Sequence, residues 1–263
     1  MRHSSFIRTT LAAAVVLAVS TGAHAQATAS ATLSNFRVQV FDLNPSDGIP
    51  ASVTFTDASA AQVYAQAVDG VFASDGSYSG AIGEALSAAV AQGAASSLGT
   101  TAAGDPFTPG AGPGASAAAS TAGVDTSAYG VGYVLASGIT LTANTLLVFS
   151  ANTSGIAATV SVAGETADGI AVISLNNADN SQSSFGQSYQ HAEIGNTYGS
   201  SAPFVQASLV NLSGGSISGA AYVYAYATVQ GAVPPPVPEP ETYALMLAGF
   251  LAVGSVARRL NQR

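Results

Sequence analysis

The chain has no cysteine, no lysine and no tryptophan, and only 8% of its 263 residues are charged, where about a quarter is usual. Each absence closes a door. Without cysteine no disulfide can form, even in an oxidising compartment, and thiolate nucleophiles and cysteine zinc sites are excluded. Without lysine there is no Schiff-base chemistry and no P-loop. Without tryptophan the strongest sugar-stacking side chain is missing. Basic charge is almost confined to the ends, at Arg2, Arg8, Arg258, Arg259 and Arg263. Between residues 26 and 240 thirteen acidic residues face Arg37 alone, a formal charge of −12. Such a body lacks the basic stripe that phosphate backbones require, so nucleic acid is not an expected partner. Divalent cations are its natural counter-charge.

Catalytic constellations are equally sparse. His191 is the only histidine beyond residue 24, too few for a histidine zinc site. It sits in the polar stretch 187–197 and reads as a surface-loop histidine. The segments Gly76-Ser77-Tyr78-Ser79-Gly80 and Gly215-Ser216-Ile217-Ser218-Gly219 miss the nucleophile-elbow pattern because Tyr and Ile occupy the central position. A two-carboxylate glycosidase remains compatible with thirteen acids. The expectation is nevertheless a protein that is not an enzyme and has no cofactor beyond a possible calcium ion. Asp42, Asn44 and Asp47 cluster in one turn, and calcium favours such oxygens. The spacing is not that of an EF-hand, and the same side chains in a turn also bond their own backbone.

The ends carry address labels. Arg2 and Arg8 precede the apolar run Leu11–Val19, and Ala23-His24-Ala25 is an A-x-A site. Residues 1–25 therefore read as a signal peptide, with signal peptidase cutting before Gln26. At the other end, Pro234, Pro235 and Pro236 form an extended spacer. Pro238-Glu239-Pro240 follows, then an apolar segment from Tyr243 to Ala257, then Arg258-Arg259. That segment would span roughly 24 Å as a helix, slightly short of a bilayer core of about 30 Å. The following arginines place it as a stop-transfer helix with the body outside.

The order Val237-Pro238-Glu239-Pro240, Thr242, Leu245, Leu247-Ala248-Gly249, Ala257-Arg258-Arg259 resembles the PEP-CTERM tail of exported proteins in Gram-negative, exopolysaccharide-producing bacteria. The resemblance implies handling by exosortase, an integral-membrane cysteine protease/transpeptidase. The precursor would be held transiently in the inner membrane, then cut near Pro238-Glu239-Pro240 and released to the cell surface or extracellular matrix. The alternative is a permanent anchor. The body more weakly resembles acidic Ala/Ser-rich PEP-CTERM proteins of betaproteobacteria, on Phe41–Pro50 and Ile139–Thr145. No activity comes with that likeness.

Residues 26–232 read as one all-β domain, a β-sandwich or jelly-roll-like body between an N-terminal signal helix and a C-terminal transmembrane helix, with residues 233–263 as linker and sorting tail. Phe36, Val38 and Val40 alternate with Asn35, Arg37 and Gln39, and Val53 and Phe55 alternate with polar neighbours. Further strands are expected at 61–68, 129–135, 139–141, 146–150, 157–162, 170–175, 204–212 and 217–230. Residues 84–92 fit helix or strand, and 104–114 read as a long loop. In the last strand Ile217, Ala221, Val223, Ala225, Ala227 and Val229 share one face, and their small size would let two sheets approach closely. Tyr222, Tyr224 and Tyr226 share the other, about 7 Å apart. This row suits stacking on sugar rings or packing at a sandwich edge. The function expected is that of a structural, exopolysaccharide-associated matrix protein, with a glycan- or surface-binding adhesin as the alternative and an enzyme acting on matrix polysaccharide as the weakest reading.

Overall fold

A computed structural model describes residues 26–56 and 60–233. The chain divides into two units, Met1–Ala232 and Val233–Arg263. Fourteen strands make up the described part of the first unit. They are β1 (Ala27–Asp42), β2 (Val53–Phe55), β3 (Ala61–Asp69), β4 (Val71–Ser79), β5 (Ser87–Gln92), β6 (Ala95–Ala102) and β7 (Gly114–Thr121), then β8 (Thr126–Leu141), β9 (Thr145–Thr159), β10 (Thr166–Asn177), β11 (Ser183–Glu193), β12 (Asn196–Ser200), β13 (Phe204–Asn211) and β14 (Ile217–Gln230). One sheet runs β13-β9-β1-β7-β6-β5. The other runs β12-β11-β10-β14-β8-β3-β4, with β2 alongside β8. Neighbouring strands in both sheets pair antiparallel. The architecture is the expected all-β sandwich. The signal helix and transmembrane helix lie outside the described residues, and among those described no helix is long and apolar enough to cross a membrane.

Several strands are longer than their sequence pattern suggests, because the inward phase changes within them. In β1 the buried residues are Ala27, Ala29, Ala31 and Leu33, then Phe36 and Val38. The shift from odd to even falls at Asn35, which adopts a left-handed φ of 52°, and the register with β9 slips between Ser34 and Arg37. A bulge of this kind inserts one residue and restores the hydrophobic face. Likewise 129–135 and 139–141 are one strand, β8, whose pairing with β14 shifts between Val223 and Tyr224. Five strands, β4, β6, β7, β11 and β12, escape the pattern altogether. β6 and β7 are built mostly from Ala, Ser and Gly with few β-branched or large residues, so they carry little intrinsic strand preference, and in β4 Asp75 and Gly76 interrupt the run from Val71 to Tyr78. The ambiguous segment 84–92 contributes β5. The loop from Gly104 to Pro113 is stitched to β1, where Phe36 N–H donates to Pro113 O and Val38 N–H to Pro106 O. It thereby continues the ladder past Leu33, where the pairing of β1 with β7 stops.

The interior has two main parts and a small third cluster of Val63, Ala65 and Ala88. One contains Leu33, Phe36, Leu135, Leu141, Phe149 and Ile173 among others, with Phe36 and Phe149 edge to face at 5.3 Å. The other is almost entirely alanine, including Ala29, Ala67, Ala119, Ala128, Ala167 and Ala227. There the sheets nearly touch. Cα atoms of β8 lie within 8 Å of those of β6 and β7, where facing sheets ordinarily stand about 10 Å apart. A Cβ on Gly130 would lie 2.4 Å from Leu98 O and 2.8 Å from Ala118 O, both in the opposite sheet. A Cβ on Gly99 would lie 2.1 Å from Val131 O. Adding one carbon at such a point forces backbone apart. Gly130→Ala is expected to destabilise the fold by roughly 1–3 kcal/mol. Gly214→Ala, which meets nothing within 4 Å, should stay within about 0.5 kcal/mol of wild type. Urea unfolding of the two variants measures the difference.

Candidate functional site: a tyrosine face on the larger sheet

Small interiors push large rings outside. Nine of the ten tyrosines fall among the described residues, and all nine project from the outer face of the larger sheet. The pairing register sets this. Tyr226 stands opposite Val131 and Ile170, and Val131 opposite Tyr64. Tyr133 stands between Gln62 and Tyr224, and Gln62 is opposite Tyr78. Tyr189 faces Ile170, and Tyr198 faces His191. The inward neighbours Val63, Ala65, Ala128, Ala221, Val223, Ala225 and Ala227 are buried. The row Tyr222, Tyr224 and Tyr226 is thus the middle of a much wider surface.

Five rings form a continuous cluster across β3, β8 and β14. Centroids are 6.2 Å apart for Tyr64–Tyr129 and Tyr129–Tyr226, 6.1 Å for the stacked pair Tyr224–Tyr226, and 5.1 Å for Tyr133–Tyr224. These spacings lie in the range where rings attract one another. Beside the cluster runs a groove of about 500 Å³ bounded by Gln62, Tyr64, Ser77, Tyr78, Tyr129 and Tyr133. Tyr78 is 79% exposed and Tyr222 44% exposed.

The middle of this face is uncharged. Its carboxylates, Asp168 and Glu193, lie on β10 and β11 to one side. Asp168 Oδ1 accepts a 2.6 Å hydrogen bond from His191 Nδ1, whose ring lies 4.7 Å from that of Tyr198. His191 is therefore not a loop residue. The polar stretch 187–197 forms part of β11, a tight turn and the start of β12, and the His191 side chain is 17% exposed. Strand register brings it to Asp168, 23 residues away in the chain, and local sequence carries no sign of that pairing. Burial holds the tyrosines in their neutral form. Tyr129 is pushed up to about 12 by burial, and next by the neighbouring Tyr133. Tyr133, Tyr224 and Tyr226 are raised chiefly by burial, with Asp168 adding to the effect at Tyr226.

The turn holding Asp42, Asn44 and Asp47 uses its oxygens within itself and toward Asn144. Asn44 N–H donates to Asp42 Oδ1 at 2.9 Å, and Ile49 N–H donates to Asp47 Oδ1 at 2.7 Å. Ser46 Oγ–H donates to Asn44 Oδ1, and Asn144 Nδ2–H to Asp47 Oδ2. The bond from Asn144, then that from Ile49, holds the Asp47 carboxyl below the usual carboxylate range. Among the described residues no group of three or more His, Cys, Asp or Glu is placed to hold a metal ion. Gln26 precedes β1 by one residue. Ala23, Ala25, Pro238, Glu239, Pro240, Arg258 and Arg259 lie outside the described residues.

The described residues form a β-sandwich whose larger sheet carries a tyrosine-lined outer face with an open groove. Residues 236–262 match the PEP-CTERM protein-sorting motif. The chain is accordingly an exported, exosortase-processed protein of the cell surface or extracellular space. The match leaves the sandwich itself unassigned, and no curated protein and no solved structure matches the chain.

A tyrosine whose proton is held more firmly in the folded state stabilises the fold below the unfolded value near 10 and loses that contribution as pH rises through the folded value. Stability should therefore fall between about pH 10 and 12. Tyr129→Phe should flatten that fall and remove the latest step from an alkaline titration followed by phenolate absorbance.

Proposed function

We propose that the body is a matrix protein that holds exopolysaccharide on its tyrosine face once exosortase has delivered it. The observation that carries this reading is the placement of all nine described tyrosines on one face of the sheet. Tyrosine joins an apolar ring to a polar edge, which matches the two-sided chemistry of a sugar. Contiguous exposed aromatic surface on a soluble domain marks an interaction site. The middle of the face lacks the charge that distinguishes the rest of the body, with Asp168 and Glu193 at one side, which favours neutral over anionic polymer. Binding rather than catalysis is the proposed role. The adhesin reading uses the same face toward a foreign glycan.

The proposed route runs from signal peptidase at Ala25–Gln26, through transient residence in the inner membrane, to exosortase at the Pro238-Glu239-Pro240 motif. Replacing Tyr222, Tyr224 and Tyr226 together by serine should weaken retention by isolated exopolysaccharide on the order of tenfold, the equivalent of about 1.4 kcal/mol. A circular dichroism spectrum checks that the sheet persists. Unchanged binding with an intact sheet would remove the glycan reading. Pro238→Ala with Glu239→Ala should leave the protein in the inner membrane with its tail attached, read as intact mass. Normal release of that variant would remove the exosortase route and leave the glycan reading standing.

A further inference from the structure

The turn joining β9 to β10 holds a buried carboxylate whose bonding is incomplete. Glu165 is 1% exposed. Its Oε2 accepts hydrogen bonds from Ser161 N–H at 2.7 Å, Val162 N–H at 2.9 Å and Ser161 Oγ–H at 3.4 Å. Its Oε1 is buried and has no hydrogen-bond partner among the described residues. A buried, ionised oxygen left unpaired is costly, and such groups ordinarily have a counter-charge. The chain offers almost none. Arg37, the sole cation between residues 26 and 240, stands opposite Ser150, whereas the start of β1 stands opposite Thr159. Nine residues of strand, roughly 30 Å, separate Arg37 from Thr28.

What does lie beside the turn is the backbone nitrogen of Gln26, which donates to Ser161 Oγ at 2.8 Å. One hydroxyl thus links it to the Glu165 carboxylate. In the precursor this nitrogen is a neutral amide with a single proton. Hydrolysis of the Ala25–Gln26 bond leaves a carboxylate on Ala25 and an amine on Gln26, which takes up a proton. The resulting ammonium has three donors and a full positive charge.

We infer that the α-ammonium of Gln26, created by signal-peptide removal, is the counter-ion that Glu165 lacks, so that export itself completes the fold. The site is built before its ligand exists. Its occupant is a primary ammonium at the end of β1, a central strand of its sheet. One donor stays on Ser161 Oγ, and the others turn toward the carboxylate. The inference rests on the export reading, specifically on cleavage before Gln26.

The test uses the mature full-length protein purified from cells, with intact mass reporting its first residue. A Gly-Ser insertion between Ala25 and Gln26 moves the ammonium two residues away. It should lower the melting temperature by roughly 2–4 °C in the wild-type background and leave the Glu165→Gln protein unchanged. Equal cost in both backgrounds means no coupling between the two groups and overturns the inference. If Glu165→Gln is not recovered folded, acetylation decides. The chain has no lysine, so an amine-reactive ester modifies the α-amine alone. Acetylation should lower the melting temperature by the same margin, and an unchanged value overturns the inference. A mature chain starting at another residue overturns the cleavage site as well. A chain starting at Gln26 but lighter by one ammonia, the mark of a cyclised glutamine, overturns the ion pair and leaves the cleavage site intact.

Discussion

The narrow gap between the two sheets governs the rest of this molecule. Where Gly130 passes Leu98 O and Gly99 passes Val131 O, there is no room for even one side-chain carbon. Around those points the interior is alanine. Such a core buries little area per residue, so hydrophobic transfer contributes less than in a leucine-rich sandwich. Two things offset this. Alanine loses no side-chain freedom on burial, and close backbone approach maximises dispersion contacts. The chain needs neither disulfides nor large ion pairs to close two sheets this near to one another. It needs small residues at alternate positions, and its Ala-, Ser- and Gly-rich composition supplies them.

The same constraint accounts for the outer surface. A ring cannot enter the alanine end of the interior, so tyrosines on β3, β8 and β14 project outward and meet across the strands. Packed together they are half-buried and hold their protons. The result is a neutral aromatic plate on a strongly acidic body. The acids are largely elsewhere and have structural tasks. Asp47, Asp105 and Asp179 each accept backbone N–H groups two residues on, at Ile49, Phe107 and Ser181. Much of the negative charge thus serves to form turns, and it is held where it leaves the plate clear.

Glu165 departs from that pattern because its own side chain is buried, although the turn around it is largely exposed. Its surroundings satisfy one oxygen and leave the other without a hydrogen-bond partner among the described residues. On the proposed route of two cleavages the N-terminus changes chemically on export, and the ion pair inferred for Glu165 belongs to the later form.

The sequence by itself determined the address and the class. The Pro238-Glu239-Pro240 tail and its closing arginines match the sorting motif as a linear pattern, and the basic, apolar and A-x-A segments that give the signal-peptide expectation are linear patterns too, so both are legible without a fold. Alternation in Phe36–Val40 and in Ile217–Val229 likewise showed strands and their inner faces, because side-chain period is a local property. Tertiary structure decided what alternation cannot carry across a bulge or between strands. The phase change at Asn35 hid the length of β1, and the alanine and serine of β6 and β7 masked strands held in place by their neighbours. Register alone brought Tyr64, Tyr129 and Tyr133 to the predicted row of Tyr222, Tyr224 and Tyr226, His191 to Asp168, and Gln26 to the turn of Glu165. Those meetings depend on which strand lies beside which, and that choice is made by the packing of two whole sheets, not by any segment's own preference.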